Sequence, residues 1–113
     1  MAHTVDQHGP RRIVHLDGAI DVSNAIQLRE LLGDQLHGPT AEVLVDLSGV
    51  RLLDSSGIGI LVTAHRRAEA LGARLILAAP QPAVAKVFEL TRTNKLLNVV
   101  PTLDEGHAAL DAS

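Results

Sequence analysis

The run EVLVDL at 42–47 constrains the fold more than any other part of the chain. It is short, rich in β-branched residues and apolar on both faces apart from its ends. Such a run suits a central strand covered on both sides, which is how strands of largely parallel sheets are placed. Cover on both sides has to come from helices, so the rest of the chain must supply them.

The flanking segments do. RIVHL at 12–16 reads as a strand that Asp17-Gly18 breaks, and HTVDQ at 3–7 as a short edge strand reached through the turn His8-Gly9-Pro10. Residues 23–36 carry Ala25, Leu28, Leu32 and Leu36 at helical spacing. Asp21 or Ser23 can cap that helix, and HGP at 37–39 ends it. A second helix runs from the mid-fifties to about Leu71, with Ile60, Leu61, Ala64, Ala68 and Leu71 as its apolar stripe and Gly72 as its stop. RLILAA at 74–79 is another strand of buried type. Pro80 and Pro82 open a third helix that turns Val84, Val87, Phe88 and Leu90 inward. NVV at 98–100 is a short strand, and Pro101-Thr102 starts a last helix carrying Leu103, Ala108 and Leu110. The alternation predicts one α/β domain over residues 1–113: a mixed, mostly parallel sheet of four to five strands with about four helices.

Several function classes fall away. Phe88 is the sole aromatic residue and the formal charge is −3, which argues against base stacking and against binding a phosphate backbone. The absence of cysteine excludes disulfides and thiolate chemistry, and a reducing cytoplasm suits such a chain. The start, MAHTVDQHGPRR, is polar rather than signal-like, and no apolar run approaches the ~20 residues of a membrane span. The histidines His3, His8, His15, His37, His65 and His107 are dispersed without ligand spacing and read as solitary, so no metal or cofactor is expected.

The chemistry-bearing stretch is RLLDSSGIGIL at 51–61. Ser56 lacks the flanking glycines of a nucleophile elbow. His65 lies nine positions on, which at ~100° per residue is the opposite side of the same helix. Gly57 and Gly59 lack the third glycine of a dinucleotide loop and read instead as allowing close helix packing or the turn. What remains is capping, for which Asp and Ser are preferred and worth ~1 kcal/mol. Yet Asp54, Ser55 and Ser56 are three cap-competent residues where one cap requires one.

The elements GAID at 18–21, VDLSGV at 45–50 and LDSSGIGIL at 53–61, with their surroundings, resemble the STAS domains of the anti-sigma factor antagonist family over nearly the whole chain. The resemblance implies a binding protein rather than an enzyme. Ser56 would be its phosphoacceptor, and Asp21, Asp54, Ser55, Ser56, Gly57 and Ile58 would form its switch surface. It also implies the partners: an anti-sigma factor with Ser/Thr kinase activity, released when it phosphorylates Ser56, and a phosphatase that resets the serine. No nucleic acid, membrane, metal or cofactor is implied, and the setting is cytoplasmic. A constitutive STAS scaffold in a larger complex, with the serines merely capping, is the alternative. A nucleotide-binding sensor is a third reading. Family members commonly read Leu-Thr-Gly where this chain has Leu90-Thr91-Arg92, and losing a glycine suited to a left-handed helix end predicts a reshaped turn.

Overall fold

The strand expected at 42–47 continues well beyond it. In the computed structural model, which describes residues 1–112, β3 spans Glu42–Leu53 and lies parallel to β2, Arg11–Ile20. Ten residues of β2 face twelve of β3, because the register slips by one between His15 and Asp17 and again between Gly18 and Ala19. Asp17-Gly18 is therefore not a break: β2 runs on through it, and the two bulges lie opposite it in β3. Gly18 takes φ 97°, a value that L side chains rarely adopt, and a methyl group on Gly49 would lie 2.8 Å from the Leu16 carbonyl.

The sheet order is β1-β2-β3-β4-β5, where β1 is Ala2–His8, β4 Arg74–Ala78 and β5 Val99–Val100. Among the described residues, only the β1 pairing is antiparallel. Three helices, α1 at Ala25–Gln35, α2 at Ser55–Leu71 and α3 at Pro82–Leu90, contribute to one core with Val14, Val43, Val45 and Leu77. The fourth, α4 at Leu103–Asp111, covers Ile13, Leu44, Ile76 and Ala78 on the other face with Leu110. The pleat divides β3 accordingly: Val43 and Val45 point to three helices and Leu44 to one, which is why the run is apolar on both faces.

Other expectations need correction. Leu90 is 74% exposed, because at ~100° per residue it points away from Phe88, two positions before it. The same geometry turns Ala108 outward when Leu110 faces the sheet. Helix α1 begins at Ala25, not at 23, and neither Asp21 nor Ser23 caps it; Asn24 holds the cap position and donates its Nδ2–H to the Ala19 carbonyl at 2.8 Å. The turn after α3 keeps a left-handed residue although glycine is absent. Arg92 adopts φ 58°, the left-handed conformation suited to glycine, and leads into a 3₁₀ turn at Thr93–Lys95.

Three histidines expected to be solitary have partners. His15 bridges three strands: its Nδ1 lies 2.6 Å from Asp46 Oδ2 on β3 and its Nε2 3.0 Å from Asp6 Oδ2 on β1. Serving two carboxylates requires an N–H on each nitrogen, which is the imidazolium. The bond to Asp46 raises the His15 pKa, against the opposing effect of burial and with further help from Asp6. Burial works against ionisation of Asp46, but the Ser48 N–H and His15 outweigh it and its pKa is lowered. His107 Nδ1 sits 2.9 Å from Arg11, which also pairs with Glu42 and Asp111 and ties α4 to the sheet. His65 is buried, with Nε2 3.3 Å from Glu69.

A raised His15 pKa contributes stability below the unfolded value, about 6.5, and loses it as pH rises through the folded value. Urea midpoints should fall on going from pH 6.5 into the alkaline range, and His15→Gln should flatten that slope. The difference should be at most about 1 kcal/mol, since the pair is partly exposed; an unchanged slope contradicts the bridge. Arg92→Gly should be neutral to stabilising, whereas Arg92→Val should cost at least about 1 kcal/mol in the same assay.

Candidate functional site

The C-terminal ends of β2 and β3 finish side by side at Ile20 and Leu53, and the site is built on that edge. The Asp54 N–H donates to the Ile20 carbonyl at 3.1 Å, which holds the two chain ends level. Asp54 is extended, at φ −96° and ψ −177°, and its Oδ1 accepts the Gly57 N–H at 3.1 Å. One residue does the capping, as one cap requires. Helix α2 then starts at Ser55, so Ser56 is the second residue of its first turn.

Gly57 explains how the helix comes so close. A methyl group there would lie 2.5 Å from Leu53 Cδ1 and 2.7 Å from Ile20 Cγ2, so any side chain would lift α2 off the strand ends. Gly59 has no neighbour within 4 Å of such a methyl, and the packing role expected for both glycines holds for Gly57 only. Ile58 is buried at 7% exposure within the three-helix core. Gly57 and Ile58 therefore support the expected switch surface from beneath and do not lie on it.

The residues left at the surface are Ser55, which is exposed, and Ser56 and Asp54, which are half-buried. Neither serine hydroxyl makes a hydrogen bond with any described residue. Their N–H groups open the helix and have no intrahelical acceptor, which leaves a positive helix end beneath a free hydroxyl. Asp21 follows Ile20 directly and joins this edge. Its Oδ1 accepts both the N–H and the hydroxyl of Ser23, and those two bonds, the hydroxyl first, hold its pKa below the usual carboxylate range. Asp21 also donates its own N–H to Asn24 Oδ1 at 3.1 Å, so the turn before α1 is closed by side chains at both ends.

Three apolar side chains on this edge escape the sequence reading. Val22 is 77% exposed, Ile26 62% and Leu52 52%. Val22 and Ile26 flank the turn that holds Asp21, and Leu52 pairs with Ala19 in the strand register. The available signal is that Ile26 falls outside the stripe of Leu28 and Leu32 on α1.

His65 is buried and its Nε2 faces Glu69 one turn on, not Ser56. Among the described residues no group of three or more His, Asp or Glu is placed to hold a metal ion, and no helix is long and apolar enough to cross a membrane. The arrangement offers two adjacent free hydroxyls, Ser55 and Ser56, on a charged and apolar surface.

The STAS domain family model matches residues 2–106. The anti-sigma F factor antagonist of Lysinibacillus sphaericus is 30% identical over 80 residues, covering 70% of this chain and 68% of that protein. An anti-sigma factor antagonist from Mycobacterium paratuberculosis has a similar crystal structure, with a TM-score of 0.83 at 29% identity over 96% of this chain and 92% of that one. The anti-sigma factor antagonist SpoIIAA in its unphosphorylated form shares the fold, with a TM-score of 0.79 at 23% identity over 99% of this chain and 98% of that one.

Replacing Gly57 by Ala should destabilise the domain by about 1–3 kcal/mol through overpacking. Gly59→Ala should stabilise it by up to about 1 kcal/mol through helix propensity alone. Asp54→Ala should cost ~1 kcal/mol as a lost cap. Thermal unfolding of the three variants checks the set, and equal effects at Gly57 and Gly59 contradict the close approach.

Proposed function

The chain belongs to the STAS-domain family and, within it, to the anti-sigma factor antagonists, and on that premise we propose that it is a partner-switching regulator whose switch is Ser56. In this reading the unmodified edge formed by Asp21, Asp54, Ser55 and Ser56, with Val22, Ile26 and Leu52, binds an anti-sigma factor that is also a Ser/Thr kinase. Sequestering that partner frees a sigma factor. The kinase moves the terminal phosphoryl group of ATP to Ser56 Oγ, with ADP leaving and the hydroxyl proton lost, and the complex separates. Hydrolysis by a phosphatase restores the hydroxyl.

The observation that carries this reading is the unengaged Ser56 hydroxyl in the first turn of α2, with Asp54 rather than a serine acting as cap. A serine that caps would have to break its bond to be modified; Ser56 has none to break. A phosphate there adds about −1.5 to −2 charge. The positive helix end tolerates it, so the fold need not change. The partner surface does not, because Asp21 and Asp54 already make this edge acidic and the exposed apolar residues around it bind best without a hydrated dianion among them. A penalty of only about 3 kcal/mol weakens binding by roughly two decades.

Incubation with the cognate anti-sigma kinase and Mg-ATP should add one phosphate by mass spectrometry, and Ser56→Ala should remove that gain. Persistence of the gain in Ser56→Ala assigns the acceptor elsewhere. Ser56→Asp should leave the circular dichroism spectrum intact while weakening kinase binding at least tenfold. Undiminished binding, insensitive to ATP, would instead mark a constitutive scaffold.

A further inference from the structure

Away from the Ser56 edge, a groove of about 190 Å³ runs between α1 and α2 on their outer side. Its floor is apolar: Leu36 and Ala64 are buried and Ile60 is half-buried. Arg29 on α1 and Arg67 on α2 line it, and neither guanidinium has a hydrogen-bond or ion-pair partner among the described residues. The chain carries 13 acidic against 10 basic side chains, yet no carboxylate lines this groove. Gly33 forms part of the α1 wall. It has no positive φ, and a methyl group on it would meet nothing within 4 Å. Neither turn geometry nor helix packing therefore accounts for a glycine that costs a helix up to about 1 kcal/mol relative to alanine. Its effect is to keep the wall low and the backbone open to approach.

The geometry points to a binding site for a small amphiphilic anion, with a carboxylate or phosphate head held by the exposed arginine at one end, Arg29 or Arg67, and a short apolar tail lying over Leu36, Ile60 and Ala64. Arginine matches such heads with paired N–H donors, and its weak hydration lowers the cost of desolvation. The opposing walls span eight residues each, from 29 to 36 and from 60 to 67, a rise of ~10 Å, which limits the tail to a few carbons. A concave groove this small has room for a small molecule and not for a partner helix. The site does not depend on Ser56 or on the identity of the protein partner. It is, however, on the same helix as Ser56, with Ile60 one turn further along.

Titration of the ¹⁵N-labelled full chain with hexanoate and with hexyl phosphate tests it, with 1-hexanol as the neutral control. Saturable shifts are expected at the amides of Gly33, Thr63 and Ala64, and the two anions distinguish a carboxylate from a phosphate head. The combined Arg29→Gln and Arg67→Gln variant should weaken binding at least tenfold. Gly33→Leu should abolish it without loss of thermal stability, because leucine fills the groove and favours helix. Ser56→Ala should bind normally. Equal binding of hexanol, indifference to the arginine variant, shifts confined to other residues, or no shifts at millimolar ligand would each overturn the proposal.

Discussion

The close approach of α2 to the ends of β2 and β3, with Gly57 seated on Ile20 and Leu53, is the contact on which the functional edge depends. It fixes the height at which the helix begins. The Asp54 N–H bonded to Ile20 and the Asp54 carboxylate bonded to Gly57 complete a closed path from one strand through the cap into the helix and back. Within that path the position of Ser56 leaves no freedom to the backbone, although its hydroxyl remains uncommitted. A regulatory serine has opposing requirements, since a kinase must reach it and a binding partner must meet it in one place. Rigidity below and freedom at the tip would satisfy both in the role proposed for Ser56.

The electrostatics of the sheet belong to a different task. His15 holds an exposed edge strand to the central strands through two carboxylates, and Arg11 holds α4 through two more. Both clusters join segments that the hydrophobic core reaches poorly: β1 is exposed along its whole length, and α4 is covered by a small satellite of the core. Apolar burial secures the middle of the domain, while charge pairs fasten its margins.

Much of this was legible in the sequence where side-chain periodicity survives. Residues 43–47 alternate between two covered faces, and that alone announced a parallel sheet between helix layers. The cap at Asp54, the stop at Gly72 and the proline start of α3 follow from local chemistry that no tertiary contact overrides. The second half of β3 was not legible, because its bulges change the rhythm: Leu47, Val50 and Leu53 all face the three-helix core at intervals of three, which is neither a strand's period nor a helix's. Leu90 and Ala108 were misplaced because an apolar residue near a helix end satisfies a composition argument without satisfying the angle. The partners of His15 and Arg11 were invisible for another reason, since each joins residues from separate strands and helices. Within the proposed switch surface, Asp54, Ser55 and Ser56 could be read from the chain. The depth of Gly57 and Ile58 and the exposure of Val22, Ile26 and Leu52 required the packing.

The two bulges of β3 also have an arithmetic. Each inserts one residue and so exchanges the faces of everything downstream; two together restore the original sense, and Leu53 arrives in the same core as Leu47. The segment from Asp46 to Asp54 thus behaves like a reading frame with a period of two. Loss of a single residue there would invert Leu53 and present the cap and its serines to the wrong side of the sheet, while loss of two at the bulges could leave a plain strand with its sense intact. Length variation in this stretch among related chains should accordingly be even.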